Sequence, residues 1–191
     1  RESARSAGST WDAFPSRSSA AASVRLRMSQ APTPIETARG YTPPSVRQFS
    51  VFLDNKVGKL LELVEAFDQA ANCQICAMSV HEASDHAVVR IIPNCSRTAK
   101  DILRARRLAF SEMDILVVEF GADHSLPGLC LCLLAAELNI SFCYPVLLRT
   151  TGKPTIAICV DDNVMAGQIL RKKGFRLLGE ADLPKPGDGR L

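Results

Sequence analysis

Ala99-Lys100-Asp101-Ile102-Leu103-Arg104 returns later in the chain as Ala166-Gly167-Gln168-Ile169-Leu170-Arg171. Upstream, Val51-Phe52-Leu53-Asp54 has a counterpart in Glu119-Phe120-Gly121-Ala122-Asp123, and each leads through a short loop into a leucine-rich helix. The step between copies is about 70 residues at the start and 67 at the end. A repeat of that length is a whole small domain rather than a solenoid unit. Two such domains joined edge to edge would enclose a pseudo-symmetric groove, and grooves between domains favour small-molecule binding.

Periodicity supplies the elements. Gln48 to Leu53 alternates as a strand, and Leu60, Leu61, Leu63, Val64 and Phe67 recur at helical spacing. Gln74 to His81 and His86 to Ile92 read as a hairpin around Ala83-Ser84-Asp85. Ser96 is an expected N-cap for a helix to about Arg107, and Leu108 to Met113 a fourth strand. The second copy repeats the order. Its strand Ile115–Phe120 precedes a helix over Pro127–Leu138, with proline at a first-turn position. Strands Ile140–Leu148 and Thr155–Val160 follow, then a helix capped by Asp161 or Asp162 and stopped by Gly174, and a last strand within Phe175–Leu183. The order βαββαβ, twice, predicts an α+β protein of two ferredoxin-like units, each a four-stranded antiparallel sheet with its helices on one face. The domains expected are 46–113 and 114–183, with tails at 1–45 and 184–191.

Residues 1–45 are rich in Ser, Ala, Arg and Pro, hold five of the eleven prolines, and lack periodicity. Such a segment buries too little apolar surface to offset its ordering entropy and is expected to be disordered. Met28 reads as a natural start, leaving residues 1–27 as an extension. The sharper alternative is a transit peptide, against which stands the lack of an amphipathic helix. The net charge of +3 belongs to this tail, with six Arg against three acids; the rest carries 17 basic and 17 acidic residues. The folded part therefore has no net field to attract nucleic acid. The most apolar stretch, Leu126 to Leu138, is broken by Pro127 and Gly128 and closed by Glu137, too short for a membrane span. Seven cysteines, an odd number without a preceding secretory signal, point to free thiols in a reducing cytoplasm.

Several residues invite chemistry. Cys73-Gln74-Ile75-Cys76 has redox or metal spacing, but in a strand the two sulfurs would diverge, and no second pair completes a zinc site. Cys130 and Cys132 read as packing residues. His81, His86 and His124 accompany no nucleophile motif. The basic runs Arg104–Arg107 and Arg171–Lys173 complement helix dipoles or, on a sharper reading, contact an anion. RNA-binding sheets of this topology stack bases on aromatics of their central strands. Here His86–Ile92 and Thr155–Val160 carry none. No catalytic residue, metal or cofactor is expected. What remains is the loop Asp54-Asn55-Lys56-Val57-Gly58-Lys59-Leu60, whose amides at a helix start favour a carboxylate, with Gly58 permitting close approach.

At this loop the chain resembles the ACT domain family, small amino-acid-sensing modules of metabolic enzymes. The family's loop reads Asp or Asn, any residue, Pro, Gly, before a leucine-rich helix and an Asn-Ile strand start. Asn55-Lys56-Val57-Gly58 fits with Val57 for proline, Gln74-Ile75 stands at the strand start, and Leu138-Asn139-Ile140 matches it directly. In the second copy either Pro127-Gly128 or Asp123-His124-Ser125-Leu126 falls on the loop motif. The resemblance covers roughly Val46 to Leu183 and is closest to stand-alone pairs of ACT units. It implies an amino acid or similar metabolite bound between units, at Asp54, Asn55, Val57, Gly58, Leu60 and Gln74 and at Asp123, Ser125, Gly128 and Asn139. It also implies a homodimer through ACT sheets, allosteric regulation and, as the alternative, an assembly subunit for a metabolic enzyme. An enzyme in its own right ranks last.

Overall fold

The computed structural model describes residues 42–83 and 85–185, and its first element is strand β1 (Val46–Asp54). Helix α1 (Lys59–Asp68), the hairpin of β2 (Ile75–Ala83) and β3 (His86–Pro93), and helix α2 (Ser96–Ala105) follow. Then come β4 (Ala109–Glu119), α3 (Leu126–Leu134), β5 (Ile140–Pro145), β6 (Thr155–Val160), α4 (Asn163–Lys172) and β7 (Arg176–Leu178). A 3-10 turn at Glu180–Asp182 closes the described chain. The expected tail lies outside the described residues except at its end, where Pro43 is already buried. An added Cβ on Gly167 of α4 would come within 2.4 Å of Pro43 Cβ, so the segment before β1 packs on α4.

Alternation decides which face of each strand is buried. Phe49, Val51 and Leu53 point to one side of β1 and meet Leu63 and Phe67 of α1 and Leu103 of α2. Burying side chains of this size stabilises by about 1.5–3 kcal/mol each. In the second half Leu116 and Val118 meet Leu129 and Leu133 of α3 and Leu170 of α4 in the same way.

Each half is ferredoxin-like and antiparallel, with neighbours β2-β3-β1-β4 in the first and β5-β6-β4-β7 in the second. The two halves share a strand. Separate strands were expected at Leu108–Met113 and Ile115–Phe120, but β4 runs unbroken for 11 residues. Its first part pairs with β1, from Ala109 opposite Phe52 to Ile115 opposite Val46. Its last part, Leu116–Glu119, pairs with β6, and Val117–Glu119 also with β7. The exposed, polar Ser111-Glu112-Met113-Asp114 hides this continuity, because it separates two apolar runs and suggests a break at Asp114 between two strands. The boundary expected between residues 113 and 114 thus falls inside one strand.

The sheet then curls until its ends meet. The amides of Leu147 and Leu148, just past β5, both donate to the Cys76 carbonyl of β2, at 2.8 and 3.0 Å. The helix-free faces of both halves consequently share one core of Val46, Cys76, Ile92, Ile115, Val117, Tyr144, Val146 and Ala157. Across it the Tyr144 hydroxyl donates to Gln48 Oε1 at 2.6 Å, and the Arg90 guanidinium lies 4.2 Å from the Phe142 ring centre. The halves are therefore packed face to face, not merely edge to edge as expected.

Helix caps sort into local and tertiary kinds. Asp162 caps α4 by accepting from Met165 N at 2.8 Å, and Gly174 ends that helix at φ 83°, as expected. Ser96 does not cap α2. Its amide instead donates at 2.8 Å to Glu180 Oε1, a carboxylate brought from the chain's other end. Cys73, in the turn before β2, and Cys76, on β2, sit in different cores, and burial pushes both thiols up to about 12. Cys130, expected to pack, is exposed on α3, as is Cys143 on β5.

Candidate functional site

The first loop leaves β1 at Asp54 and enters α1 through Gly58, which holds φ 91° and serves as N-cap with no side-chain capping bond. Glycine is needed there because a Cβ is disfavoured at positive φ. Asn55 is turned toward the β2–β3 hairpin. Its amide donates to Asp85 O at 3.0 Å and its side chain to Glu82 Oε1 at 2.8 Å. Asp54 pairs with Lys56 at 3.3 Å, Val57 is fully exposed, and Leu60 is partly exposed on α1.

Beside this loop lies a cleft of about 390 Å³, between the first turn of α1 and the turn from α2 into β4. Asp54 and Glu62 line it with negative charge, and Lys59, Arg106 and Arg107 with positive charge. Its apolar wall is Leu53, Leu63 and Leu108. Lys59 Nζ lies 2.7 Å from Glu62 Oε2, and that hydrogen bond holds the Lys59 ammonium above its ordinary value. Of the residues expected from the loop motif, Asp54 lines this cleft, while Asn55 is committed to the hairpin. Arg106 and Arg107 enter it from the basic run first read as a helix-end complement; their sequence signal was that run. Arg107 is held at φ 54°, in the left-handed region.

The second copy has the same turns and a different filling. Ser125 is the N-cap of α3, as Gly58 is of α1, and its Oγ accepts from Gly128 N at 3.2 Å. By that equivalence Asn55-Lys56-Val57-Gly58 corresponds to Ala122-Asp123-His124-Ser125, one residue before the Asp123-His124-Ser125-Leu126 register expected, and Gly128 lies inside the helix. Asp123 is exposed. The cleft between this loop and the α4–β7 turn is occupied by His124. Its ring packs 4.2 Å from the Phe175 ring, and Nε2 lies 3.0 Å from the Lys173 carbonyl. Phe175 corresponds to Leu108 and Gly174 to Arg107, each 67 residues on.

Gln74 and Asn139 occupy equivalent places at the opposite ends of the sheets. The Gln74 amide donates to Asn94 Oδ1 at 2.9 Å, and the Asn139 amide to Asp161 Oδ1 at 3.2 Å. Both pairs clamp the start of one strand to the end of the next. Asp54 faces His86 while Ile75 faces Pro93, so Gln74 lies about 23 Å along the strands from the first loop. The structure does not bring Gln74 to Asn55 within one unit.

Comparison with known proteins agrees with this architecture. No curated protein matches the chain. The crystal structure of protein BT0572 from Bacteroides thetaiotaomicron is similar at TM-score 0.64 and 21% identity, covering 73% of this chain and 96% of that one. The regulatory subunit of aspartate kinase from Thermus thermophilus, in ligand-free form, is similar at TM-score 0.46 and 10% identity, covering 69% of this chain and 92% of that one. A family profile described as an ACT domain pair matches residues 44–185, the span of both curled halves. The repeat, the doubled βαββαβ order and this match together make the chain a member of the ACT domain family, carrying a pair of its units.

Proposed function

We propose that the protein is a cytoplasmic, non-catalytic regulatory protein that senses an amino acid through the cleft of its first unit. The observation that carries this reading is the cleft's mixed lining. Arg106 and Arg107 offer guanidinium donors to a carboxylate, Asp54 and Glu62 offer acceptors to an ammonium, and Leu53, Leu63 and Leu108 offer an apolar wall to a side chain. The second unit's equivalent is filled by His124, which leaves one such cleft among the described residues. A ligand bridging the α1 start and the α2–β4 turn would favour whichever arrangement of the two it binds better, and so bias the association of the protein with another copy or an enzyme.

The test is a thermal-shift screen of the full chain against the proteinogenic amino acids, followed by calorimetry. A ligand at a hundred times its Kd raises stability by about 2.7 kcal/mol. Arg107→Ala should then weaken binding by about 1.5–3 kcal/mol, the range for a hydrogen bond to a charged group. A screen in which no amino acid raises the melting temperature defeats the reading. It would leave assembly with a metabolic enzyme as the better account, which the exposure of Leu131 (63%) and Leu134 (70%) on α3 favours.

A further inference from the structure

The two units differ at one equivalent place on their helix-free faces. In the first, Phe52 of β1 lies between Val88 of β3 and Ala109 of β4. In the second, Glu119 of β4 lies between Thr155 of β6 and Arg176 of β7. From 52 to 119, 88 to 155 and 109 to 176 the step is the same 67 residues. An apolar trio in one copy has become a carboxylate, a hydroxyl and a guanidinium in the other.

Burial makes the exchange informative. Phe52 is 44% exposed, whereas Glu119 is 3% exposed. Arg176 holds the Glu119 carboxylate at 3.3 Å and Lys153 at 3.8 Å, and the Thr151 hydroxyl donates to its second oxygen. The Arg176 and Lys153 side chains are about half exposed, so water screens these ion pairs and they support the fold weakly against the cost of burying Glu119. The first copy shows that the fold tolerates apolar residues at this place, so folding by itself does not account for the charges.

A cavity of about 380 Å³ opens directly beside this cluster, within the size range of small-molecule sites. Arg149, Thr150, Asp182 and Lys185 line it with Glu119 and Arg176, over an apolar floor of Val146, Leu178 and Leu183. The Thr150 hydroxyl donates to Asp182 O at 2.8 Å, joining the β5–β6 connection to the C-terminal turn. The same two segments grip the first unit. Leu147 and Leu148 donate to Cys76, Asn94 Nδ2 donates to Pro184 O at 2.9 Å, and Glu180 caps α2.

We propose that this cavity is a second ligand site, separate from the first unit's cleft, that takes a small dicarboxylate, with or without an α-ammonium group. Among the described residues around the cavity, Arg149, Lys153, Arg176 and Lys185 outnumber Glu119 and Asp182, so the field selects an anion. One carboxylate meets Arg149 and Lys185 at the mouth. The other approaches Arg176, while Glu119 fixes the Arg176 guanidinium in place. Because the walls also hold the two units together, occupancy tightens the contact between them.

The experiment is calorimetry on the full chain with two probes, L-glutamate and succinate, using Arg149→Glu and Arg107→Ala as the variants. Arg149 is exposed, so its replacement leaves the core intact, which circular dichroism checks. The expected result is binding of at least one probe to the unaltered protein, weakened at least about tenfold by Arg149→Glu and unchanged by Arg107→Ala. Binding of succinate as well as glutamate assigns the recognition to the carboxylates alone; binding of glutamate only adds Asp182 as the ammonium partner. Two results overturn the proposal: neither probe binds, or binding survives Arg149→Glu. Survival in Arg149→Glu with loss in Arg107→Ala would place the ligand in the first unit's cleft, sinking this inference while supporting the reading of that cleft.

Discussion

Replacing Arg107 by glycine should make the protein more stable and a poorer binder. Three helices end in the same hydrogen-bond pattern, with Leu108 N to Leu103 O at 3.1 Å, Leu138 N to Leu133 O at 3.0 Å and Phe175 N to Leu170 O at 2.9 Å. Each needs a left-handed residue just before the closing amide: Arg107 at φ 54°, Glu137 at φ 56° and Gly174 at φ 83°. A side chain in that region costs roughly 1–2 kcal/mol, while glycine gives back about 0.5–1 kcal/mol through its freer unfolded state. Arg107→Gly and Glu137→Gly should therefore each stabilise by up to about 1 kcal/mol, or a melting temperature higher by about 2–4 °C for a chain of this length. Only Arg107 lines the cleft, so only Arg107→Gly should also weaken amino-acid binding. Urea melts and calorimetry on both variants supply the readouts. If Glu137→Gly gains stability and Arg107→Gly does not, the cost assigned to Arg107 is wrong. If Arg107→Gly binds as tightly as the unaltered chain, the arginine is not a ligand contact.

Other expectations test the packing. Gly167→Ala should destabilise despite the better helix propensity of alanine, because its Cβ would lie 2.4 Å from Pro43; overpacking of this kind costs about 1–3 kcal/mol against about 1 kcal/mol gained, and a more stable variant would show that the 42–45 segment yields freely. Tyr144→Phe should cost about 1–3 kcal/mol in a urea melt, since it strips the fully buried Gln48 of its donor; an unchanged midpoint would mean that water replaces the hydroxyl. A thiol reagent at mildly alkaline pH should modify Cys130 and Cys143 first, read by peptide mass spectrometry, and early labelling of Cys73 or Cys76 would contradict their burial. Because burial raises those two thiols from 9.0 to about 12, unfolded thiols ionise first; the stability they lend is complete below pH 9.0 and is lost as pH rises toward 12, which alkaline urea melts would register. Gly58→Val is a poor probe of ligand contact, since φ 91° strains any side chain there even though nothing lies within 4 Å of the added Cβ.

Local signals carried the outline of this protein. The period of apolar residues, the hairpin turn at Asp85, the Asp162 cap and the Gly174 stop each act within a few residues, so the order of elements and the doubled unit could be read along the chain. Tertiary structure decided what those units became. Only pairing on both sides of β4 turns a polar stretch into the shared strand, and only curling brings Cys76 to Leu147 or Glu180 to the start of α2. The candidate sites fall in this second class. His124 closes one cleft because Phe175 and Lys173, some 50 residues away, stand opposite it, as the 49-residue separation of its hydrogen bond records. Glu119 is buried because strands β6 and β7 and the Thr151 loop converge on it. A sequence displays each charge but not its neighbours across the sheet, and it is those neighbours that determine whether a charge caps a helix, fills a cleft or faces a ligand.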